Sequence, residues 1–292
     1  MNAGDPNAGH GNAGREQAVT DEVVASFAGD DRTSVVLRSL VRHLHAFARD
    51  VRLTQEEWEA GIAFLTRTGH VTDERRQEFV LLSDVLGLSM LTVGINAPAD
   101  PRATESTVFG PFFVEGAPHV ELGGDIAFGA KGTPCLVTGR VTDIDGAPLP
   151  GARIEVWEAD EDGFYDVQHP GDRTAGRGRL TAGPDGGYRF WSVRPSAYPI
   201  PADGPVGDLL AATGRHPMRP AHLHFMVSAP GHRTLITHVF VAGDPHLASD
   251  AVFGVKDSLV VDVADHEPGT APDGRDGPWS SFPFDIRLEQ TP

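Results

Sequence analysis

The hydrophobic period changes once along this chain, and that change limits the folds open to it. From about Asp21 to Asn96 bulky apolar residues recur at helical spacing, as in Val36, Leu40, Leu44 and Phe47 or Trp58, Ile62 and Leu65. Beyond Thr107 they fall into short runs rich in β-branched and aromatic residues: CLVTGRVTD, ARIEVWEAD, GGYRFWSV, AHLHFMVSA, TLITHVFVA and DSLVVDV. Turn dipeptides at Asp145-Gly146 and Asp162-Gly163 separate some of these runs. Many short strands with no helical pattern between them predict an antiparallel β-sandwich. The expected class is α+β, mainly β, with the helical region first.

Local signals place the boundaries. Thr54 followed by Glu57 forms a capping box, and Thr72 with Asp73 and Glu74 marks the start of a further helix, so three or four helices fit. The run NAPADPRATEST, Asn96 to Thr107, cannot continue a helix through its prolines and small polar residues. Residues 1–18 hold too few bulky apolar groups to offset the entropy of ordering them. The expected organisation is a flexible tail over 1–18, a helical region over 19–100 and a β-sandwich over 101–288. No solenoid-type repeat is visible.

Charge narrows the partners. Forty-one acidic residues against twenty-four basic ones give a formal net charge of -17, which repels phosphate backbones and anionic bilayers. Nucleic acid is therefore not an expected partner, nor is membrane insertion. Cys135, the only cysteine, cannot form an intrachain disulfide and reads as a small buried hydrophobe in a reducing compartment. The amino terminus MNAGDPNAGHGNAGREQ lacks the basic and apolar regions of a secretion signal, so the cytoplasm is the expected location.

The fragment Arg219-Pro220-Ala221-His222-Leu223-His224-Phe225 carries the strongest chemical signal. On a strand, residues i and i+2 share a face, so His222 and His224 can chelate one cation; alone, the pair could equally be surface histidines. Of the three tyrosines, Tyr165 in GFYD and Tyr198 in PSAYPIP lie in turn or loop contexts, whereas Tyr188 sits in a strand-like run and reads as packing. A phenol titrates near ~10, but a trivalent cation can favour its anion near neutrality, and phenolate is a hard ligand. Two tyrosinates and two histidines would suit Fe(III). Zinc at His222 and His224 is the other metal reading, but it leaves the tyrosines unexplained.

The order Tyr165, Tyr198, His222, His224, with Arg219 just ahead of the histidines, resembles the intradiol ring-cleavage dioxygenases. The likeness extends through the helical segment, Gly110 to Phe113, DGAPLPGARIEVWEAD, GFYD, RPSAYPIP and RPAHLHF. It implies a helical dimerisation region, a homodimer that can trap a phospholipid between its helical regions, and one Fe(III) per subunit on Tyr165, Tyr198, His222 and His224. It further implies that a catechol-type ring and O2 are the substrates. Tyr198 would yield its place to the ring and act as a base, and Arg219 would stabilise negative charge developing on the ring, with a structural ion pair as the plain alternative for Arg219. Where a catechol enzyme of this family carries glutamine, this chain has His238, either a hydrogen-bond donor to the site or a core histidine.

The pocket positions implied by the resemblance are Leu81, Asp84, Val108, Phe109, Gly110, Pro111, Phe112, Ile200, Pro201, Arg219 and Val252, and together they look like the hydroxyquinol-cleaving branch of the family. Asp84 carries the physical argument. A third ring hydroxyl needs an acceptor that an apolar pocket lacks, whereas a catechol would leave the acid unpaired. A solvated helix face is the plain alternative for Asp84. The expected reaction converts hydroxyquinol and O2 to 3-hydroxy-cis,cis-muconate, the enol of maleylacetate. The alternatives are a catechol or chlorocatechol 1,2-dioxygenase and, in another class, a non-catalytic transthyretin-like binding module.

Overall fold

A computed structural model describes residues 8–291 apart from Arg75, Pro170 and Asp172. The chain forms two compact units, residues 1–66 and 67–292. The first holds α1 (Ala8–Ser26), α2 (Arg32–Asp50) and most of α3 (Gln55–Val71). Asp31 caps α2 by accepting a hydrogen bond from the Ser34 amide at 3.1 Å, and Thr54 and Glu57 make the reciprocal capping box at the start of α3. Val36, Leu40, Leu44 and Phe47 do form one stripe along α2, but all four are exposed.

Two helical expectations change. Helix α1 begins at Ala8, inside the segment expected to be a flexible tail; residues 1–7 lie outside the described residues. Within this unit Thr20 is buried and hydrogen-bonds His45 and Arg49 of α2, which anchors the far half of α1, and extending an anchored helix costs little per residue. No helix starts at Thr72. Asp73 accepts a hydrogen bond from the Arg76 amide in a turn, and α4 (Glu78–Val85) starts later, followed by α5 (Leu88–Ile95). Among the described residues no single helix is long and apolar enough to cross a membrane; α4 and α5 together reach that length but are bent by 76°.

The second unit is built on a sandwich of two five-stranded sheets. In chain order the strands are β1 (Pro134–Asp143), β2 (Arg153–Trp157), β3 (Arg177–Thr181), β4 (Gly187–Val193), β5 (Tyr198–Pro199), β6 (Met218–Arg219), β7 (His222–Ser228), β8 (Leu235–Val241), β9 (Val260–Val261), β10 (Ala264–His266), β11 (Trp279–Pro283) and β12 (Ile286–Leu288). One sheet runs β10-β11-β1-β12 with β4 also on β1, the other β3-β2-β7-β8-β9, and β5 pairs with β6 alone. Helix α6 (Pro205–Ala212) joins these last two strands.

The ladders β1–β4, β2–β3, β2–β7 and β7–β8 are antiparallel as expected, but β11 and β12 join β1 in parallel and β9 joins β8 in parallel. A hairpin forces antiparallel neighbours, whereas a strand returning after a long excursion can enter in either direction. Leu223, Phe225 and Val227 of β7 point between the sheets with Ile154, Val156, Phe190, Phe282 and Cys135, so the alternate residues His222 and His224 face away from this core. Tyr188 belongs to it, its hydroxyl donating to the Phe284 carbonyl.

Candidate metal and substrate site

Strand register assembles one side of the site. Trp157 of β2 lies opposite His224 of β7, and His224 lies opposite His238 of β8, so the three side chains form a row across one sheet face. Trp157 and His224 stack with centroids 4.7 Å apart, and the His224 and His238 rings are 4.1 Å apart. Tyr198 is the ladder partner of Arg219 on the short β5–β6 ribbon.

Tyr165 arrives from the long loop between β2 and β3. The Asp162-Gly163 dipeptide lies in a tight turn from Asp160 to Phe164 within that loop, instead of forming a strand hairpin. Gly163 has φ +84°, and a Cβ there would stand 2.6 Å from Tyr198 Cβ, so glycine lets the two tyrosine-bearing loops touch. Tyr165 then heads a short 3-10 turn, its amide donating to Gln168 Oε1 at 2.9 Å. The next residue, Asp166, forms a buried ion pair with Arg177 of β3, and Arg177 also donates to the Phe112 carbonyl at 3.2 Å. Phe112 stacks on Tyr165 with centroids 4.5 Å apart.

The four metal-ligand candidates come together. Tyr165 Oη lies 2.8 Å from His224 Nε2, 3.0 Å from Tyr198 Oη and 3.5 Å from His222 Nε2, and Tyr198 Oη lies 3.3 Å from His222 Nε2. Since a carbonyl can only accept, His222 Nδ1 donates to the Pro220 carbonyl at 2.7 Å, which turns the bare Nε2 lone pair towards the phenols. All four residues are buried. Burial lowers the His222 imidazole to about 3, with the Arg219 charge adding to the effect, and it also lowers His224. Burial raises both phenols, although Arg219 opposes this at Tyr198. Imidazoles and phenols converging on one point form a ligand set in which a bound cation would draw off the phenolic protons. The donor types fit a hard trivalent ion better than zinc.

His238, left open between two readings above, is buried beside this set. Its Nδ1 hydrogen-bonds Thr107 Oγ1 at 2.7 Å, while Nε2 has no hydrogen-bond partner among the described residues. Ligand atoms of His222, His224 and His238 all lie within 4.8 Å of one another.

The pocket candidates divide into two groups. Leu81, Pro111, Phe112, Ile200 and Pro201 line a cavity of about 590 Å³ together with Arg76, Glu78, Phe164 and Asp203. The rest do not line this cavity. Gly110 packs so close that a Cβ would meet His224 at 3.0 Å, Phe109 meets Trp157 edge-on while remaining exposed, and Val108 is buried. Arg219 Nη1 donates to His222 Nε2 at 3.1 Å. Asp84 is 3 % exposed, which removes the solvated-face alternative. Burial raises its carboxyl, opposed by Ser89 and Arg219 and reinforced by Asp250. The backbone amide of Val252 donates to Asp250, whose carboxylate grips Arg219.

Sequence reasoning missed Asp250, Thr107 and the Asp166–Arg177 pair. Each is an ordinary polar residue in its local context and is recognisable only by the partner that the fold supplies.

Fold and site define a class: a β-sandwich carrying a buried Tyr2His2 cradle beside an arginine. Two family models cover the chain, the catechol dioxygenase amino-terminal family over residues 30–104 and the dioxygenase family over 108–290, and the protein belongs to the intradiol ring-cleavage dioxygenases. Among its relatives is the hydroxyquinol 1,2-dioxygenase of Nocardioides simplex, 63 % identical over 94 % of this chain and 95 % of the relative. The crystal structure of hydroxyquinol 1,2-dioxygenase from Pseudomonas putida DLL-E4 matches with a TM-score of 0.87 at 46 % identity, covering 96 % of this chain and 100 % of the other. Catechol 1,2-dioxygenase from Pseudomonas arvilla C-1 matches with a TM-score of 0.82 at 29 % identity, over 94 % and 91 % of the two chains.

Proposed function

We infer that this protein opens the ring of hydroxyquinol between its adjacent hydroxyls, consuming O2 and releasing 3-hydroxy-cis,cis-muconate, the enol of maleylacetate. The convergence of Tyr165, Tyr198, His222 and His224 on one buried point carries the reading. Membership of the family and the names of the relatives at high identity support it. Tyr165, Tyr198, His222 and His224 would hold one Fe(III), which supplies Lewis acidity that makes the bound ring electron-rich towards O2.

The chain's own residues do the rest. Tyr198 Oη takes a proton from a substrate hydroxyl, while Tyr165, clamped through its neighbour Asp166, stays in place. Arg219 supplies a fixed positive charge for the anion that develops on the ring, and a buried cation needs no reorganisation when that charge forms. Leu81, Phe112, Ile200 and Pro201 enclose the ring, and Asp84 accepts the hydrogen bond of the third hydroxyl. Asp84 has no such partner when the ring is catechol.

The division into a helical region over 19–100 and a catalytic sandwich over 101–288 belongs to the same reading. The exposed stripe Val36, Leu40, Leu44 and Phe47 supports a homodimer formed through helices that also takes a phospholipid. A lone buried cysteine suits a cytoplasmic enzyme.

The test begins with iron content and the visible spectrum of the purified protein without O2. Hydroxyquinol or catechol is added, then air, and O2 uptake and products are measured. A tyrosinate-to-iron absorption band and faster turnover of hydroxyquinol are expected. Faster turnover of catechol would overturn the substrate assignment, and a protein that stays colourless and inactive after iron is supplied would overturn the reaction.

A further inference from the structure

Asp250 lies outside every motif that points to the reaction, in the loop between β8 and β9, yet it meets the site through one residue. Its Oδ1 accepts from Arg219 Nε at 3.1 Å and its Oδ2 from Arg219 Nη2 at 3.3 Å. Both side chains are buried. The same carboxylate accepts from the Val252 amide at 3.3 Å and the Gly254 amide at 2.9 Å. Four donors thus occupy its two oxygens, leaving it no role as a base. Gly254 leaves room for the pair, since a Cβ there would meet Asp250 Oδ2 at 3.1 Å and Arg219 Nη2 at 3.2 Å.

This arrangement uses the side of the guanidinium that carries Nε and Nη2 and leaves Nη1 on the side of the site, 3.1 Å from His222 Nε2. A planar fork held side-on by a carboxylate cannot rotate, so the direction of Nη1 follows from the position of Asp250. The carboxylate is itself fixed by two backbone amides, those of Val252 and Gly254. We propose that Asp250 is a positioning residue that aims Arg219 Nη1 at the reacting ring. The inference rests on the role of Arg219 given under Proposed function.

Asp250 is the buried carboxylate paired with the buried Arg219 guanidinium. Removing the carboxylate therefore costs orientation as well as neutralisation, because the guanidinium is left in a buried space with no anion of its own.

A double-mutant cycle on the iron-loaded enzyme tests this, with kcat, KM, iron content and the visible band recorded for each protein. Arg219→Met should lower kcat by about 100-fold or more, the scale of removing one preorganised charge-stabilising donor. Asp250→Asn should lower kcat by at least about tenfold with the visible band retained, and in the Arg219→Met background it should change kcat by less than about threefold, because the group it aims is gone. Equal factors in both backgrounds would make Asp250 merely structural and overturn the proposal, as would an unchanged kcat in Asp250→Asn. If Asp250→Asn does not fold, Asp250→Glu keeps the charge and moves the fork: a lowered kcat with an intact band supports the proposal, an unchanged kcat refutes it. A wild-type kcat in Arg219→Met would instead sink the role of Arg219 itself.

Discussion

Replacing Asp84 by alanine should change which ring the enzyme prefers. The side chain is 3 % exposed and its carboxyl is held above the usual range, by burial first, against the pull of Ser89 and Arg219. A buried hydrogen bond to a charged acceptor contributes about 1.5–3 kcal/mol. At about 1.4 kcal/mol per factor of ten, its loss should lower kcat/KM for hydroxyquinol roughly 10- to 150-fold. Catechol has no third hydroxyl to lose a partner, so its kcat/KM should stay level or rise. The ratio of the two constants, measured by O2 uptake on one preparation, should therefore fall by at least about tenfold. A linked effect follows in stability. With the folded pKa raised, Asp84 contributes most below the unfolded carboxyl range, and that contribution is lost as pH rises through the folded pKa. The melting temperature of Asp84→Ala relative to wild type should therefore be more favourable at pH 8 than at pH 4. An equal loss for both substrates would mean that Asp84 only supports the fold, and unchanged kinetics would mean that it does not meet the ring.

Other residues give separate tests. Burial pushes the Glu158 carboxyl up to about 8 despite its bonds to Ser192 and the Val193 amide, so wild-type stability should decline from about pH 5 to 8, and Glu158→Gln should flatten that decline in thermal melts. Asp166→Asn leaves the buried Arg177 without its anion and should cost about 3–5 kcal/mol in urea denaturation, with part recovered in Asp166→Asn/Arg177→Met. Gly163→Ala places a Cβ 2.6 Å from Tyr198 Cβ at a positive φ, so the visible band should shift or weaken more than the melting temperature falls. Chelating the metal should abolish the band and lower the melting temperature, with both restored by ferric iron, because a ligand bound only by the folded state stabilises it.

Much of the site is legible in the sequence for a simple reason. A strand alternates with period two, so His-x-His at 222 and 224 puts both imidazoles on one face whatever else the chain does, and β7 obeys this with Leu223 and Phe225 in the core. The helical spacing of Val36 through Phe47 and the Thr54–Glu57 box are equally local and appear in place. Where local signals compete, reading them fails: Asp73 favours a turn over a helix start, and residues 8–18 join a helix anchored further along at Thr20.

Periodicity and spacing alone thus set the order of helices followed by a sandwich and the shared face of the histidines. Their turn and loop contexts pointed to Tyr165 and Tyr198 as partners of the histidines, and the family resemblance gave each its role. Tertiary structure alone decided which polar residues hold that chemistry in place. Asp250 and Arg219 are 31 residues apart and Thr107 and His238 are 131 apart, and no periodic pattern links such positions. A buried charge or ring nitrogen is satisfied by whatever group the packed fold brings within about 3 Å, and that proximity exists only after the sheets and loops have closed around it.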